Sequence, residues 1–314
     1  MISFGPVKSR RLGKSLGINN IISPKVCSYG CVYCQAGETA KKSINRETFF
    51  KPENILNKVE QHIQKLDKDN YPDYLTFVSN GEPTLDENLG KTIVLLKKLD
   101  IPVAVITNSS LLHDKKVRDD LNLADWVSVK IDAGDTETWH KINRPSPDLN
   151  FEITIDNLIL FASGFTGILC TETMLVNGIN DSVNNFTAVA GIIKKINPLI
   201  SYLSIPIRPP ALSSVKPPET EKLNIAWQIF NDSQIKTELL TGFEGTDNGF
   251  TGNIYDDILN ITSVHPLRED SMMELLQNDK ADFQVVKSLI QQRLIRTAIY
   301  NGKKFYLREY HHQI

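Results

Sequence analysis

The alternation of short β-rich runs with helical segments constrains the fold of this chain more than any other sequence feature. Six runs of β-branched and aliphatic residues, each closed by a polar or glycine-containing turn, cover residues 16–22, 74–78, 103–106, 126–131, 168–176 and 202–205. Segments with helical spacing of apolar residues follow these runs at residues 52–66, 89–99, 114–122, 151–161, 185–196 and 219–230. Repeated β/α units favour parallel strands joined by right-handed crossovers. The alternation alone fits both a partial (βα)6 barrel and a doubly wound open sheet.

Length and composition are those of an ordinary globular protein. The 314 residues suffice for one large α/β domain and a small appendage, and the hydrophobic content of 41% and charged content of 23% are typical. A net charge of −2 gives no overall field that would favour nucleic acid or an acidic membrane surface. The N-terminal residues lack a signal-peptide pattern, and no apolar run has bilayer-spanning length. We therefore expect a cytoplasmic protein without a membrane partner.

The cysteines are unusually concentrated. Three of the four, Cys27, Cys31 and Cys34, lie within eight residues and are separated by three and then two residues. Thiolates packed this closely suit a thiophilic metal centre. Three of them would ligate three irons of a 4Fe–4S cluster and leave the fourth iron open to another ligand.

Three other interpretations of these cysteines are weaker. Their spacing also fits one face of a helix, but Pro24 and Gly30 oppose an uninterrupted helix. A zinc site closed by Cys170 is the better rival, although structural zinc usually takes its cysteines in pairs from two turns. A disulfide is disfavoured because nothing indicates secretion. Cys170 lies in the middle of an apolar run, which predicts a buried thiol.

The cysteine motif carries a family resemblance. Cys27-x₃-Cys31-x-Tyr33-Cys34 resembles the cluster loop of the radical S-adenosylmethionine (SAM) superfamily, and residues 4–17 resemble those of Fe–S oxidoreductases related to the wybutosine-synthesis radical enzymes. The resemblance covers about residues 1–245 and implies a partial (βα)6 barrel with a 4Fe–4S cluster and SAM as cofactors. It further implies that an electron from a flavodoxin- or ferredoxin-type donor cleaves SAM to methionine and a 5′-deoxyadenosyl radical, which takes hydrogen from a substrate.

The carboxyl ends of the predicted strands supply the candidate cofactor residues, because active sites of parallel β/α folds lie there. The resemblance implies that the Gly81–Glu82 turn binds the amino group of SAM, although Asn80 stands where the family more usually has glycine. The predicted cofactor contacts are Tyr33, Gly81, Glu82, Asn108, Ser109, Asp132 and Val176. Polar residues after strands also cap turns without binding a ligand, and that alternative stays open.

Other polar residues are candidates for substrate binding. His140, Asn143 and Arg144 follow the fourth run, and Arg208 follows the sixth. An arginine there suits a phosphate or a carboxylate, with a surface ion pair as the alternative. The basic residues ahead of the cysteines are predicted to lie in a loop that is solvated or contacts an anionic substrate, and they are Lys8, Arg10, Arg11 and Lys14.

Residues 246–314 are predicted to form a winged-helix-like domain after a glycine-rich boundary at residues 241–252. Helices are expected at residues 254–261, 270–277 and from Asp282 to 292, and strands at 294–300 and 304–307. Asn301–Gly302 between these strands is a strong hairpin signal. No acidic residue lies between Phe283 and Arg308, so one basic face is expected, which would suit nucleic acid or a docked protein equally.

Several functions fit these parts. The favoured one is a radical SAM enzyme that modifies an unidentified substrate, such as an RNA base. Radical modification of a protein or peptide docked by the winged helix is the alternative, and a cluster-bearing nucleic-acid regulator is the alternative without enzyme activity. A wybutosine-type reaction is expected to use a second cluster, for which only Cys170 remains.

Overall fold

The computed structural model describes residues 2–22, 24–242 and 249–309. In chain order, the strands are β1 (Ser3–Ser9), β2 (Gly13–Ile18), β3 (Val26–Cys27), β4 (Lys41–Lys42), β5 (Tyr74–Phe77), β6 (Val103–Thr107), β7 (Trp126–Lys130), β8 (Ile168–Met174), β9 (Ile200–Ser204), β10 (Thr237–Leu240), β11 (Leu267–Arg268), β12 (Ile295–Tyr300) and β13 (Lys303–Arg308). The helices are α1 (Pro52–Ile63), α2 (Leu89–Leu96), α3 (Lys115–Leu121), α4 (Thr136–Asn143), α5 (Phe151–Gly164), α6 (Val183–Ile196), α7 (Thr220–Asp232), α8 (Ile254–Thr262), α9 (Glu269–Asn278) and α10 (Gln284–Gln291). None of the helices in these residues is long and apolar enough to cross a bilayer.

The main sheet has eight strands in the order β1-β2-β5-β6-β7-β8-β9-β10. All neighbours from β2 to β10 are parallel, and β1 pairs with β2 in the antiparallel direction. Spatial order follows chain order without a reversal, whereas a doubly wound sheet reverses at a switch point. The structure is therefore an α/β fold with a curled, parallel half-barrel.

The two faces of the sheet differ in chemistry. Residues such as Leu75, Phe77 and Val105 point outward and are buried against the helices. Their neighbours along the strands, among them Thr76, point inward, and Ser15 Oγ donates to Thr76 Oγ1 at 2.7 Å. Burial of the outer face supplies much of the hydrophobic stabilisation, whereas the inner face carries polar side chains together with a second apolar cluster that includes Trp126, Cys170 and Tyr202.

The N-terminal segment corrects the sequence prediction. Residues 8–14 were expected in a loop, but β1 and β2 form an antiparallel pair in which Phe4 lies opposite Gly17. Gly17 is required here because a Cβ would lie 2.1 Å from the Phe4 ring. Phe4 is 3% exposed and belongs to the core of the C-terminal helices. Because β1 is stabilised by partners distant in sequence, its own sequence pattern gives little indication of a strand.

Residues 249–309 contain α8, α9, α10 and a small sheet in the order β11-β13-β12. The predicted hairpin is confirmed, because Tyr300 pairs with Lys303 across a turn in which Asn301 and Gly302 have φ angles of 48° and 69°. Two successive positive φ angles favour an Asn–Gly turn. The core of these elements surrounds the fully buried Tyr306 and includes Phe4, so β1 connects them to the half-barrel.

Candidate active site

The segment of the three cysteines, here called the cluster loop (residues 25–37), lies against the carboxyl end of β5. Val26 forms a bridge with Gly81, and Glu82 N donates to Val26 O at 3.2 Å. Gly81 has a φ of 145°, and a Cβ there would lie 1.9 Å from Val26 O. Glycine therefore permits the close approach of the two backbones.

The opposite side of the cluster loop is held by α4 and the residues after it. Gly30 N donates to Asn143 O and Arg144 O at 3.0 and 3.1 Å, and Val32 N donates to Ile142 O at 3.0 Å. The sequence pattern did not predict α4. Without this helix the loop would lose most of its main-chain partners on that side.

Two candidates for substrate binding, His140 on α4 and Arg144 directly after it, lie outside the cavity of the cysteines. His140 and Arg144 line a separate surface depression with Glu137 and Lys141, and neither lines the cavity of the cysteines. Contact of His140 and Arg144 with substrate stays a prediction from the sequence. Asn143, in contrast, is 3% exposed, and its Nδ2 lies 3.4 Å from Cys31 Sγ.

Each cysteine sulfur has an N–H donor from a different part of the fold. Asn108 Nδ2 lies 3.6 Å from Cys27 Sγ, and Asn143 Nδ2 lies 3.4 Å from Cys31 Sγ. Lys25 Nζ lies 3.0 Å from Cys34 Sγ. These contacts suit thiolates, and hydrogen bonds to sulfur are one means by which proteins set the potential of an iron–sulfur cluster.

The electrostatic surroundings of the three sulfurs are unequal. Burial raises the pKa of Cys27 to about 11, and burial together with Asp132 raises the pKa of Cys31 to about 12. Burial also opposes ionisation of Cys34, but the ammonium of Lys25 outweighs it and lowers the pKa of Cys34. Cys34 therefore has the most favourable environment for a thiolate, while metal binding at the other two must displace more tightly held protons.

The cysteines share one cavity of about 320 Å³ with four of the predicted cofactor residues. These are Tyr33, Gly81, Glu82 and Asn108. The other three do not line it. Ser109 Oγ donates to Asn108 O at 2.7 Å, and Val176 is buried in the apolar cluster that includes Cys27.

Asp132, the third of these, supports the cavity wall from behind. Its carboxylate accepts from the Tyr33 hydroxyl, from Asn143 Nδ2 at 2.7 Å and from Met174 N at 2.8 Å. The same Asn143 amide contacts Cys31. Asp132 therefore fixes two groups that face the cysteine site.

The Glu82 carboxylate is 2% exposed and accepts four hydrogen bonds from the protein. Oε1 accepts from Thr84 N, Thr84 Oγ1 and Thr107 Oγ1 at 3.1, 2.7 and 2.6 Å, and Oε2 accepts from Asn108 N at 2.8 Å. Burial raises the pKa of Glu82, while these donors oppose the shift. The residue thus joins the ends of β5 and β6 below the cluster loop.

A second charged group, which the sequence pattern did not predict, lies on the inner face of the half-barrel. Glu172 accepts from Arg11, from Lys130 Nζ at 2.7 Å and from Ser204 Oγ at 2.9 Å. Burial opposes its charge, but Lys130 and Arg11 hold the pKa of Glu172 well below its usual range. A glutamate in the middle of a predicted strand was the available signal, since a buried carboxylate needs partners.

The arrangement fits an iron–sulfur cluster better than a single zinc ion. Within residues 2–22, 24–242 and 249–309, no three His, Cys, Asp or Glu side chains are placed to hold one metal ion. A 4Fe–4S cluster binds each cysteine to a different iron, so the sulfurs need not converge on one point. Cys170 is 1% exposed, packs near Trp126 and Tyr202, and does not line the cavity, which confirms the predicted buried thiol. All four thiols are free of disulfides.

Comparison with known proteins identifies the family. Residues 21–186 match the profile of the Radical SAM superfamily. The chain belongs to the radical SAM superfamily. A UPF0026 protein of Methanocaldococcus jannaschii is 44% identical over 309 residues, covering 98% of this chain and 96% of that protein. A UPF0026 protein of Helicobacter pylori is 30% identical over 310 residues, covering 97% of each.

A solved structure supports the fold. A radical SAM methyltransferase from Sphaerobacter thermophilus superposes with a TM-score of 0.55 at 14% identity, over 72% of this chain and 66% of that one. Because the sequence identity is this low, the superposition is evidence for the half-barrel fold and not for the function. Radical SAM enzymes use a 4Fe–4S cluster and SAM, and reductive cleavage of SAM is the chemistry of the superfamily.

Proposed function

We propose that this protein reductively cleaves SAM at a 4Fe–4S cluster held by Cys27, Cys31 and Cys34, and that it modifies a substrate bound inside the half-barrel. The observation that carries the proposal is that the three thiols line one cavity with Gly81, Glu82 and other predicted cofactor residues. An open cavity beside a three-cysteine motif suits a cluster with one exchangeable iron ligand.

The residues of the chain have distinct roles in this proposal. The cluster and SAM, when bound, supply reductive carbon–sulfur cleavage and hydrogen-atom abstraction. Tyr33, Gly81, Glu82 and Asn108 form the wall that faces SAM, while Ser109, Asp132 and Val176 hold that wall in position. A flavodoxin- or ferredoxin-type protein supplies the electron.

The decisive experiment is anaerobic reconstitution followed by analysis of iron, sulfide and 5′-deoxyadenosine. We expect about four irons and four sulfides per chain. Replacing Cys27, Cys31 and Cys34 together by alanine should abolish the cluster and 5′-deoxyadenosine formation, whereas Cys170→Ala should retain both. Stoichiometric zinc, or loss of iron in Cys170→Ala, would contradict the proposed site. A cluster without SAM cleavage would favour the regulator without enzyme activity.

We also propose that residues 246–314 are a winged-helix domain that recognises the substrate. The element order of α8, β11, α9, α10, β12 and β13 supports the winged helix. Part of the expected basic face is neutralised, because Lys304 Nζ pairs with Glu269 at 2.9 Å. Modification of an RNA base, modification of a docked peptide and kinship with the wybutosine-synthesis enzymes remain predictions from the sequence.

Salt dependence separates the two macromolecular substrates. If the domain binds RNA, the logarithm of affinity should fall with the logarithm of salt concentration. Replacing Lys303 and Lys304 by glutamine should make that slope shallower by about one to two units. Binding of a protein partner that is insensitive to salt, with no binding to RNA, would favour the docking role.

A further inference from the structure

The cavity of the cysteines extends to a turn of the N-terminal strands. The turn between β1 and β2 consists of residues 10–12, and it is closed by the pairing of Ser9 with Gly13. All residues of the turn line the cavity, and Arg208 lines it as well. Leu12 is only 3% exposed, although turn residues usually lie at the surface. The tip of this turn therefore carries a buried apolar side chain.

Leu12 belongs to the apolar cluster on the inner face of the half-barrel, here called the inner cluster. Its other buried members come one from each of the strands β6 to β10, and they are Ala104, Trp126, Cys170, Tyr202 and Leu240. Ile106 is partly buried and packs against them. Of these residues, Leu12, Ile106 and Leu240 also line the cavity, and the others do not. The three shared residues therefore form the boundary between the cavity and the inner cluster.

Residues two apart on one strand show where the cavity stops, because side chains at this spacing point to the same face of a sheet. On β8, Glu172 lines the cavity and Cys170 does not. On β9, Ser204 lines the cavity and Tyr202 does not. The cavity therefore ends between two successive levels of inward side chains, and Leu12 lies at this boundary.

Polar contacts on two sides hold the turn in this position. Arg11 donates to Glu172, and the two side chains are 16% and 8% exposed. Directly after the turn, Lys14 N donates to Asp73 Oδ2 at 2.7 Å, and Asp73 N donates to Lys14 O at 2.7 Å. The first contact joins the turn to β8, and the second joins it to the residue before β5. Leu12 is therefore held between two strands of the half-barrel.

We infer that the turn of residues 10–12 closes the floor of the substrate cavity, and that Leu12 limits how far a substrate group can enter. The inference rests on the proposed function and adds a determinant of specificity to it. With this floor closed, the cavity receives a terminal group or a side chain of the substrate, and no chain passes through the half-barrel. Truncation of Leu12 would join the cavity to the space around Cys170.

Alkylation of Cys170 by iodoacetamide in the anaerobically reconstituted full-length protein tests the floor. Cys170 is 1% exposed and lies in the inner cluster, and mass spectrometry of its peptide separates it from the three other cysteines. We expect Leu12→Ala to accelerate its alkylation on the order of tenfold, because truncation of a buried leucine leaves a cavity. Leu12→Val should give an intermediate rate. Leu12→Met has a similar volume and should react as the wild type does.

Leu169→Ala is the matched control. Leu169 precedes Cys170 on β8, is 8% exposed and packs in the core of the outer face, so its truncation weakens the same strand without opening the floor. We expect Cys170 to react on the order of tenfold more slowly in this variant than in Leu12→Ala. Equal rates in the two variants, or in Leu12→Ala and the wild type, would overturn the inference. If either alanine variant does not fold, Leu12→Val and Leu169→Val give the same comparison.

Iron and 5′-deoxyadenosine are measured on the same samples, so that the floor and the proposed function are tested separately. Faster alkylation in Leu12→Ala than in Leu169→Ala, without SAM cleavage by the wild type, would reject the proposed function and retain the floor. SAM cleavage by the wild type, with equal alkylation in these two variants, would reject only the floor.

Discussion

Lys25 Nζ lies 3.0 Å from Cys34 Sγ and 2.8 Å from Gly37 O, so one buried ammonium joins the two ends of the cluster loop. Lys25 is 6% exposed. Burial opposes its charge, but the neighbouring cysteines, Cys34 first, keep the pKa of Lys25 above its ordinary value. The charge is therefore retained where it stabilises negative charge on the sulfur ligands.

We predict that Lys25→Met lowers the reduction potential of the cluster. Reduction adds negative charge, so a nearby cation stabilises the reduced state more than the oxidised one. A differential interaction of about 1 kcal/mol corresponds to ~40 mV for a one-electron couple. Redox titration followed by electron paramagnetic resonance measures the shift. Lys25→Arg retains the charge and should retain most of the potential. Equal potentials in the methionine variant and the wild type, at full iron content, would contradict the role of the ammonium.

Gly81 gives a prediction about the cluster loop itself. Gly81→Ala should destabilise the fold by several kcal/mol and reduce iron binding, because the new Cβ would meet Val26 O at 1.9 Å and the φ of 145° disfavours a side chain. Urea unfolding and iron content after reconstitution measure the two effects.

Gly191→Ala is the control for that substitution. Gly191 lies within α6, and a Cβ there would meet nothing within 4 Å. We expect a gain of about 0.5–1 kcal/mol in the free energy of unfolding, because alanine favours a helix. If Gly81→Ala binds iron normally, the cluster loop does not need the close approach of Gly81 to Val26 O.

The sequence predicted the parts of the site that follow from strand periodicity. Gly81 and Asn108 could be named because each follows an apolar run, and parallel strands end at the same edge of the sheet. Lys25, Glu172 and Leu12 could not be named, because their importance depends on burial and on partners distant in sequence. Glu172, for example, meets Arg11 from a segment expected to be a loop. Local pattern thus located the strand ends, and tertiary contacts decided which side chains line the cavity.

The same limit applies to the elements of the fold. The six predicted strands were found because each buries apolar residues against helices. The additional parallel strand, β10, has four residues of which only Leu240 is buried, so it has little apolar periodicity. The helix α4 has eight residues, with Trp139 and Ile142 on its buried side. Such short elements are stabilised by their neighbours more than by intrinsic propensity.

Asp257 provides a pH-dependent test in the C-terminal elements. It is 3% exposed and accepts from Thr251 N at 2.7 Å and Thr251 Oγ1 at 2.9 Å. Burial raises the pKa of Asp257 from 3.8 to about 6. The folded state therefore holds the proton more tightly than the unfolded state, and this stabilisation, present at about pH 4, is lost as the pH rises through 6.

In the wild type, ionisation of Asp257 should lower the free energy of unfolding by about 2–3 kcal/mol between pH 4 and pH 7. We predict that this decrease is absent in Asp257→Asn. The amide can accept from Thr251 N and donate to Thr251 Oγ1, so the local contacts are preserved. Urea unfolding of the apoprotein, followed by circular dichroism, compares the two proteins at each pH. Parallel pH profiles for wild type and variant would show that Asp257 is ionised equally in both states.

Phe4 tests whether β1 holds the C-terminal elements on the half-barrel. Its ring is 3% exposed and packs in one core with Ile258, Ile261 and Tyr306. Removing a buried aromatic ring costs about 3–5 kcal/mol. Phe4→Ala should therefore increase hydrogen exchange and proteolysis in residues 249–309 before the half-barrel unfolds. Tyr71→Ala, at a side chain that is 50% exposed, should change the free energy of unfolding by less than about 0.5 kcal/mol.

The same variant tests how the C-terminal elements meet the cavity of the cysteines. Val264 and His265 reach the cavity from these elements, and Val264 O accepts from Gln35 Nε2 at 3.2 Å. We expect Phe4→Ala to increase hydrogen exchange around Val264 while the three cysteines still bind a cluster, because the cluster loop is held mainly by the Gly81 turn and α4. Loss of iron from Phe4→Ala would instead indicate that β1 supports the whole cavity.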